Sequence, residues 1–177
     1  MADLVVQEAV SLALHTTLKV GGTARYYITA ITEGAVLEAV QFAKERQLPL
    51  FVLGAGSNVL ASDGEYAGVV LYIGLLGKEA VIDPEAGTVL YTAAAGEDLD
   101  TIIAGTVESG WWGMENLSAI PSSIGAVPVQ NVGAYGVEAS QLIHSVRVYN
   151  GQTEQIETWT ADQCQFAYRD SLFKHEA

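Results

Sequence analysis

From Asn116 to Val137 the chain reads N-L-S-A-I-P-S-S-I-G-A-V-P-V-Q-N-V-G-A-Y-G-V, without one charged residue and with two of the four prolines. Ile120, Ile124, Val127, Val129 and Val132 point to burial, while Pro121, Pro128, Gly125, Gly133 and Gly136 interrupt any long helix or strand. Buried irregular backbone carries N–H and C=O groups that must be paired. No charged side chains are there to pair them, so the stretch asks for a partner rich in acceptors and apolar in body. A bound cofactor has that character, and long loops inside compact domains are usually functional. On this reading the segment wraps a large polar and aromatic ligand, offering backbone N–H groups with Ser122, Ser123, Gln130, Asn131 and Tyr135. The competing reading is a structural loop that closes the core against its own backbone.

The 177 residues suffice for one ordinary domain or two small lobes, and half of them are hydrophobic with 16% charged, which argues against disorder. A net charge of −13 speaks against a nucleic-acid partner, because phosphate backbones need clustered Lys and Arg. An anionic ligand would be held by local backbone donors instead. The single cysteine, Cys164, allows no internal disulfide and fits a reducing compartment. Met1–Val10 carries Asp3 and Glu8 and does not look like a signal peptide. The uncharged stretch is long enough for a bilayer, but its Gln, Asn, serines and prolines speak against a span. A cytoplasmic protein with no membrane partner is expected. His15, His144 and His175 are scattered, so no metal site is expected.

Along the chain, Arg25–Ala30 predicts a strand, and Thr32 caps a helix whose apolar face is Val36, Leu37, Val40 and Ala43. Leu50–Leu53 and Gly68–Ile73 are further strands. The organisation restarts near Gly74–Gly77, which divides the chain into lobes 1–76 and 77–177. Thr88–Ala95 predicts a strand, and Glu97–Ser109 a helix with Leu99, Ile102, Ile103, Thr106 and Val107 on one face. Asn150-Gly151 predicts a two-residue hairpin turn between Leu142–Tyr149 and Gln152–Trp159. Thr160 with Gln163 matches a capping box for a short helix holding a buried Cys164 thiol. Trp111-Trp112 is expected to pack a lobe. Antiparallel strand pairs with interspersed helices give an α+β fold in two lobes.

Two shorter clusters carry chemistry. Gly54-Ala55-Gly56-Ser57-Asn58 follows a strand directly, and successive N–H groups in such a turn converge on an anion, with Ser57 and Asn58 as added donors. Val59 stands where a dinucleotide fingerprint needs its third glycine, and no Gly-Lys-Ser/Thr follows, so a plain tight turn is the alternative. Tyr168-Arg169-Asp170-Ser171 sets one of only four arginines between an aromatic and an acid. Arg169 can polarise a substrate carbonyl or carboxylate, or simply pair with a nearby acid on the surface.

Taken in order, these clusters resemble the UDP-N-acetylenolpyruvoylglucosamine reductase (MurB) family of peptidoglycan precursor synthesis. The matching segments are T-L-K-V-G-G-T-A-R-Y at Thr17–Tyr26, L-G-A-G-S-N-V-L at Leu53–Leu60, G-A-V-P-V-Q-N-V-G-A-Y-G at Gly125–Gly136 and Y-R-D-S-L-F-K-H-E at Tyr168–Glu176. The resemblance implies a two-lobed FAD-binding fold of the vanillyl-alcohol-oxidase/PCMH type, with non-covalent FAD between the lobes. It implies that Gly54, Ala55, Gly56, Ser57 and Asn58 receive the pyrophosphate. Pro121, Ser122, Ser123, Gly125, Ala126, Gln130, Asn131, Gly133, Ala134 and Tyr135 would line the flavin. NADPH would be the reductant, and UDP-N-acetylglucosamine enolpyruvate the substrate, reduced to UDP-N-acetylmuramate. Arg169 matches the family's active-site arginine, and Tyr168 would help hold the substrate.

Two departures qualify the resemblance. The family commonly reads Ile-Pro-Gly where this chain has Ile120-Pro121-Ser122, so Ser122 introduces a Cβ beside the flavin or at a backbone angle that favours glycine. The family's serine proton donor and catalytic glutamate lie in a further substrate-binding domain, with no counterpart among these residues. The expectation is an FAD-binding part that does not turn over alone. A stand-alone flavin- or nucleotide-binding module working with a partner chain is the alternative.

Overall fold

A four-stranded mixed sheet organises the first part of the chain, seen in a computed structural model that describes residues 4–175. Its strands are β1 (Val6–Ser11), β2 (Thr23–Ala30), β3 (Leu50–Leu53) and β4 (Tyr66–Ile73), in the spatial order β1-β2-β4-β3. β1 runs antiparallel to β2, whereas β4 is parallel to both β2 and β3. Antiparallel pairing alone was therefore too simple an expectation. The helix α1 (Glu33–Glu45) between β2 and β3 is the crossover that parallel strands require.

The pleat sends alternate residues to opposite faces. Ile28, Ala30, Val69 and Leu71 pack under Ala35, Ala39 and Ala43 of α1. Tyr27 and Val70 turn to the other face and meet Leu12 and Leu53, joined there by Ala24, which lies beyond a register shift between Ala24 and Tyr26. The Thr32 hydroxyl accepts the Ala35 N–H at 3.1 Å and caps α1 as its sequence predicts. The buried stripe of α1 is made of alanines four residues apart, so the helix sits close on the sheet. Leu37, expected on that face, stays 39% exposed.

Beyond Gly77 lie the hairpin β5 (Lys78–Asp83) and β6 (Thr88–Ala93), and the helix α2 (Leu99–Glu108). Asp98 caps α2 through the Thr101 N–H at 2.8 Å. Leu99, Ile102, Ile103 and Thr106 are buried, but Val107 faces outward at 53% exposure. Leu99 and Ile103 join Leu117, Val127, Val132 and Ala139 in a further core cluster. Trp111 packs near Tyr91 with ring centroids 5.9 Å apart, whereas Trp112 is exposed instead of packing. Short strands β7 (Gly133–Ala134) and β8 (Val137–Glu138) form a tight hairpin, and β9 (Ser145–Asn150) pairs with β10 (Gln155–Thr160).

Two turn expectations are corrected by local hydrogen bonding. Asn150 stays in β9 opposite Gln155, so residues 151–154 form the connection. Its Oδ1 accepts from Gln152 at 2.9 Å, its amide donates to Glu157 at 3.1 Å, and Glu154 closes the turn at φ 58°. Thr160 and Gln163 do exchange reciprocal capping bonds, Thr160 N–H to Gln163 Oε1 at 2.9 Å and Gln163 N–H to Thr160 Oγ1 at 3.4 Å. They cap a turn and not a helix, because Gln165 adopts φ 49° and the Cys164 carbonyl accepts from Leu172. The Cys164 thiol is buried as expected, and burial pushes its pKa up.

Candidate functional site

The glycine turn follows β3 directly and is seated on the loop before β2. Gly56 has φ +66°, and a Cβ there would lie 2.1 Å from the His15 carbonyl oxygen, so the close approach admits only glycine. Its own carbonyl accepts the Thr17 N–H at 3.0 Å and the Thr17 hydroxyl at 3.4 Å. Among the described residues, no backbone or side-chain acceptor meets the N–H groups of Ala55, Gly56, Ser57 or Asn58. The turn is thus a row of open donors.

Its side chains reach the uncharged stretch. Ser57 Oγ donates to the Pro121 carbonyl, and Asn58 Nδ2 donates to Gln130 Oε1 at 2.9 Å. A Cβ on Gly54 would meet Ser123 Oγ at 2.5 Å. Two clusters far apart in sequence therefore lie edge to edge. The Ser57 hydroxyl and one Asn58 N–H are already engaged by protein, so the open donors are main-chain.

Beside the turn lies a cavity of about 460 Å³, lined by Gly54 and Ala55 together with His15, Thr17, Lys19 and Tyr27 among others. That volume falls in the usual range for small-molecule sites. Tyr27 stacks on His15 with centroids 4.3 Å apart, and its hydroxyl lies 3.0 Å from His15 Nδ1. Burial, with Tyr72 adding to it, pushes the Tyr27 pKa up to about 12, so the phenol keeps its proton. These residues carry no assigned role in the sequence reading. Thr17 and Lys19 lie in the T-L-K-V-G-G segment at Thr17–Gly22, while His15 and Tyr27 fall outside it and carry no signal in the sequence.

The backbone of the uncharged stretch is mostly paired within the protein, contrary to the expectation that it awaits an outside partner. Ile124 N–H bonds the Glu97 carbonyl at 2.9 Å, Gly125 N–H that of Ala95 at 2.8 Å, and Ala126 N–H that of Ser123 at 3.0 Å. Val132 N–H reaches Val127 at 3.1 Å, and Gly133 and Ala134 pair with Glu138 and Val137. Short 3₁₀ turns make this possible without a long helix or strand. Val127 and Val132 are buried as expected, while Val129 is 38% exposed. Ser122 is buried, donates to the Ser123 carbonyl at 3.1 Å, and is not among the residues with positive φ. Its position makes no demand for glycine on backbone grounds.

Asn131 is 1% exposed at φ 45°, with both amide hydrogens used: Nδ2 donates to Glu138 Oε2 at 2.8 Å and to the Ala167 carbonyl at 3.0 Å. Its Oδ1 accepts the Ser140 N–H at 2.9 Å. The amide has no donor left for a ligand.

A second cavity, of about 310 Å³, is lined by Gly133–Glu138, Gln141, Tyr168 and Arg169, and so brings the Y-R-D-S cluster to the G-A-Y-G hairpin. Tyr135 is 89% and Tyr168 81% exposed. Tyr135 (φ 51°) and Arg169 (φ 54°) both adopt the left-handed region, which concentrates at functional sites for non-glycine residues. Among the described residues, no carboxylate lies within ion-pair distance of the Arg169 guanidinium; Arg25, Arg46 and Arg147 each have one. Asp170 is bound to His175 Nε2 at 2.8 Å, a contact that holds its carboxyl below the usual range. The alternative of a surface pair between Arg169 and a nearby acid does not form among the described residues. No group of three or more potential metal ligands converges among the described residues, and none of the described helices is long and apolar enough to cross a membrane.

Comparison with known proteins places the chain in a family. Residues 24–158 match the FAD binding domain family. A UDP-N-acetylenolpyruvoylglucosamine reductase of Cutibacterium acnes is 44% identical over 96% of this chain and 45% of its own length. The same enzyme of Pseudomonas aeruginosa is 41% identical over 98% of this chain and 51% of its own. The chain thus spans about half the length of the curated relatives it matches. Among solved structures, the UDP-N-acetylenolpyruvylglucosamine reductase (MurB) of Thermus caldophilus superposes with TM-score 0.76 at 24% identity, over 95% of this chain and 57% of that one. A VAO-type flavoprotein from Myceliophthora thermophila superposes with TM-score 0.57 at 17% identity, over 78% of this chain and 27% of that one, which extends the shared fold to that class. The chain therefore belongs to the FAD binding domain family and matches the FAD-binding part of the UDP-N-acetylenolpyruvoylglucosamine reductases.

Proposed function

We propose that this chain provides the flavin site of a reductase that uses NADPH to convert UDP-N-acetylglucosamine enolpyruvate to UDP-N-acetylmuramate in peptidoglycan precursor synthesis. The observation that carries the reading is the joining of Gly54–Asn58 to Pro121–Gln130 through Ser57 and Asn58, with the turn's N–H groups left open. A row of main-chain donors that accepts no Cβ at Gly56 fits a pyrophosphate. FAD, when bound, would supply the two-electron centre between NADPH and the enolpyruvyl double bond.

The chain's own contributions are binding and electrostatics. In this reading the N–H groups of Ala55–Asn58 donate to the pyrophosphate, while Pro121, Ser122, Ser123, Gly125 and Ala126 line the flavin with Gln130 and Gly133–Tyr135. The Arg169 guanidinium, without an acid partner among the described residues, pairs with the substrate carboxylate and stabilises negative charge that builds there. Tyr168 holds the substrate beside it. The lobes meet at Gly74–Gly77, a division supported by core clusters drawn from residues before that point and after it. The cytoplasm is the compartment that supplies NADPH and sugar nucleotides, and the lone buried Cys164 suits it.

The test uses the FAD-loaded chain. Adding UDP-N-acetylglucosamine enolpyruvate should perturb the flavin absorbance, and Arg169→Ala should abolish the perturbation with FAD retained. Failure to load FAD overturns the flavin site. A perturbation that survives Arg169→Ala overturns the role given to Arg169.

A further inference from the structure

We propose that Asn131 and Ser171 are positioning residues that clasp the Tyr168–Arg169 turn against the G-A-Y-G hairpin, and that Asn131 is not a cofactor ligand. The proposal rests on the substrate-facing role given to Arg169. The turn itself is tight: Ala167 and Asp170 exchange N–H to C=O bonds, both at 3.0 Å, which leaves Tyr168 and Arg169 at its tip. Lys174 Nζ donates to the Arg169 carbonyl at 2.9 Å and His175 pairs with Asp170 at 2.8 Å, but both contacts stay within the same C-terminal segment and do not hold the turn to the hairpin.

The hold comes from two buried side chains, one on each flank of the turn. On the N-terminal side the Ala167 carbonyl, already bonded to Asp170, also accepts Asn131 Nδ2 at 3.0 Å. On the C-terminal side Ser171, 1% exposed, donates its hydroxyl to the Val129 carbonyl at 2.6 Å. Both contacts end on residues 129–131, which lead into β7. Asn131 is fixed from the other direction by Glu138 of β8 at 2.8 Å and by the Ser140 N–H at 2.9 Å. The amide therefore couples the hairpin that carries Tyr135 to the turn that carries Arg169, the two walls of the second cavity. Buried polar groups of this kind are costly when one partner is removed, so the coupling is sensitive to single substitutions.

Limited trypsin digestion reads the clasp directly, because Arg169 is an exposed cleavage site and Lys78, on β5, serves as an internal reference. Asn131→Ala and, independently, the smaller change Ser171→Ala should each speed cleavage after Arg169 roughly tenfold by easing local opening. Cleavage after Lys78 should stay within about twofold. Glu138→Gln, which keeps an acceptor for Asn131, should leave the Arg169 rate unchanged. FAD affinity, measured separately, should be unaltered in the Asn131 and Ser171 variants. Equal acceleration at Lys78 would make both residues general supports of the fold and overturn the proposal. Unchanged cleavage with lost FAD affinity would make Asn131 a cofactor ligand and also overturn it. If the wild-type chain takes up no FAD, the proposed function falls, while the proteolysis still decides whether the clasp exists.

Discussion

The two clusters that meet at this site solve the problem of irregular backbone in opposite ways. The segment from Asn116 to Val137 is long and uncharged, yet it pairs most of its own peptide groups through 3₁₀ turns and bonds to Ala95 and Glu97. The turn Gly54–Asn58 is short and glycine-rich, and among the described residues the N–H groups of Ala55–Asn58 find no protein acceptor. The lesson is that length and lack of charge do not by themselves mark the donor set for a ligand. A tight turn held from outside, by His15–Thr17 on one side and Pro121–Gln130 on the other, keeps its donors free.

The sharpest way to break this comparison is Gly56→Val. The position combines φ +66° with a Cβ 2.1 Å from the His15 oxygen, so strain and overlap together should cost about 2–6 kcal/mol. Chemical denaturation should show a large loss or no cooperative transition. For the same reason a bulky residue at Gly56 cannot report on pyrophosphate binding, since it removes the turn itself. Gly125→Ala probes the other cluster. There φ is not positive and the new Cβ would lie 2.7 Å from the Ala95 Cβ, so the expected cost is about 1–3 kcal/mol in the same assay. A cost at Gly125 equal to or above that at Gly56 would reverse the ranking of the two regions.

A smaller effect concerns the start of the uncharged stretch. Asp100 of α2 accepts the Ala119 N–H at 2.7 Å and the Ser118 hydroxyl at 2.7 Å, and these bonds, Ala119 first, lower its pKa from 3.8. Because the folded value is the lower one, its contribution is present above the ordinary value and is lost as pH falls through the folded value. Asp100→Asn should therefore flatten part of the stability loss below about pH 4. An unchanged acid-unfolding profile would show that this tie is not felt.

Much of the fold was legible because its signals are local. Thr32, the Leu99–Thr106 face and the β-branched strand Gly68–Ile73 each declare themselves within a few residues, whereas the α1 face was legible only at Val40 and Ala43, because its small Ala35 and Ala39 do not stand out beside Val36 and Leu37. β1 and β5 were missed for the opposite reason: Gln7, Glu8, Lys78 and Glu79 break the apolar pattern, and these strands exist through pairing with β2 and β6. The parallel register of β4 between β2 and β3 is likewise a tertiary choice. At the site, sequence reading found both clusters and the Y-R-D-S turn. It could not see that Ser57, Asn58 and Asn131 spend their side chains on protein partners, because those partners lie far along the chain. Nor could spacing reveal the His15–Tyr27 wall, which only the β1–β2 connection brings beside Gly54.

The central claim, that the open N–H groups of Ala55–Asn58 receive the pyrophosphate of FAD, is tested most directly at Ala55. This residue is exposed and lines the larger cavity, so Ala55→Asp adds a negative charge to the turn without burying it. Wild-type chain and variant are each incubated with FAD, desalted and scanned for flavin absorbance and fluorescence. The account predicts a retained flavin spectrum for wild type and a loss of about tenfold or more in FAD affinity for Ala55→Asp, with unchanged thermal stability. Equal FAD retention by both proteins would contradict it.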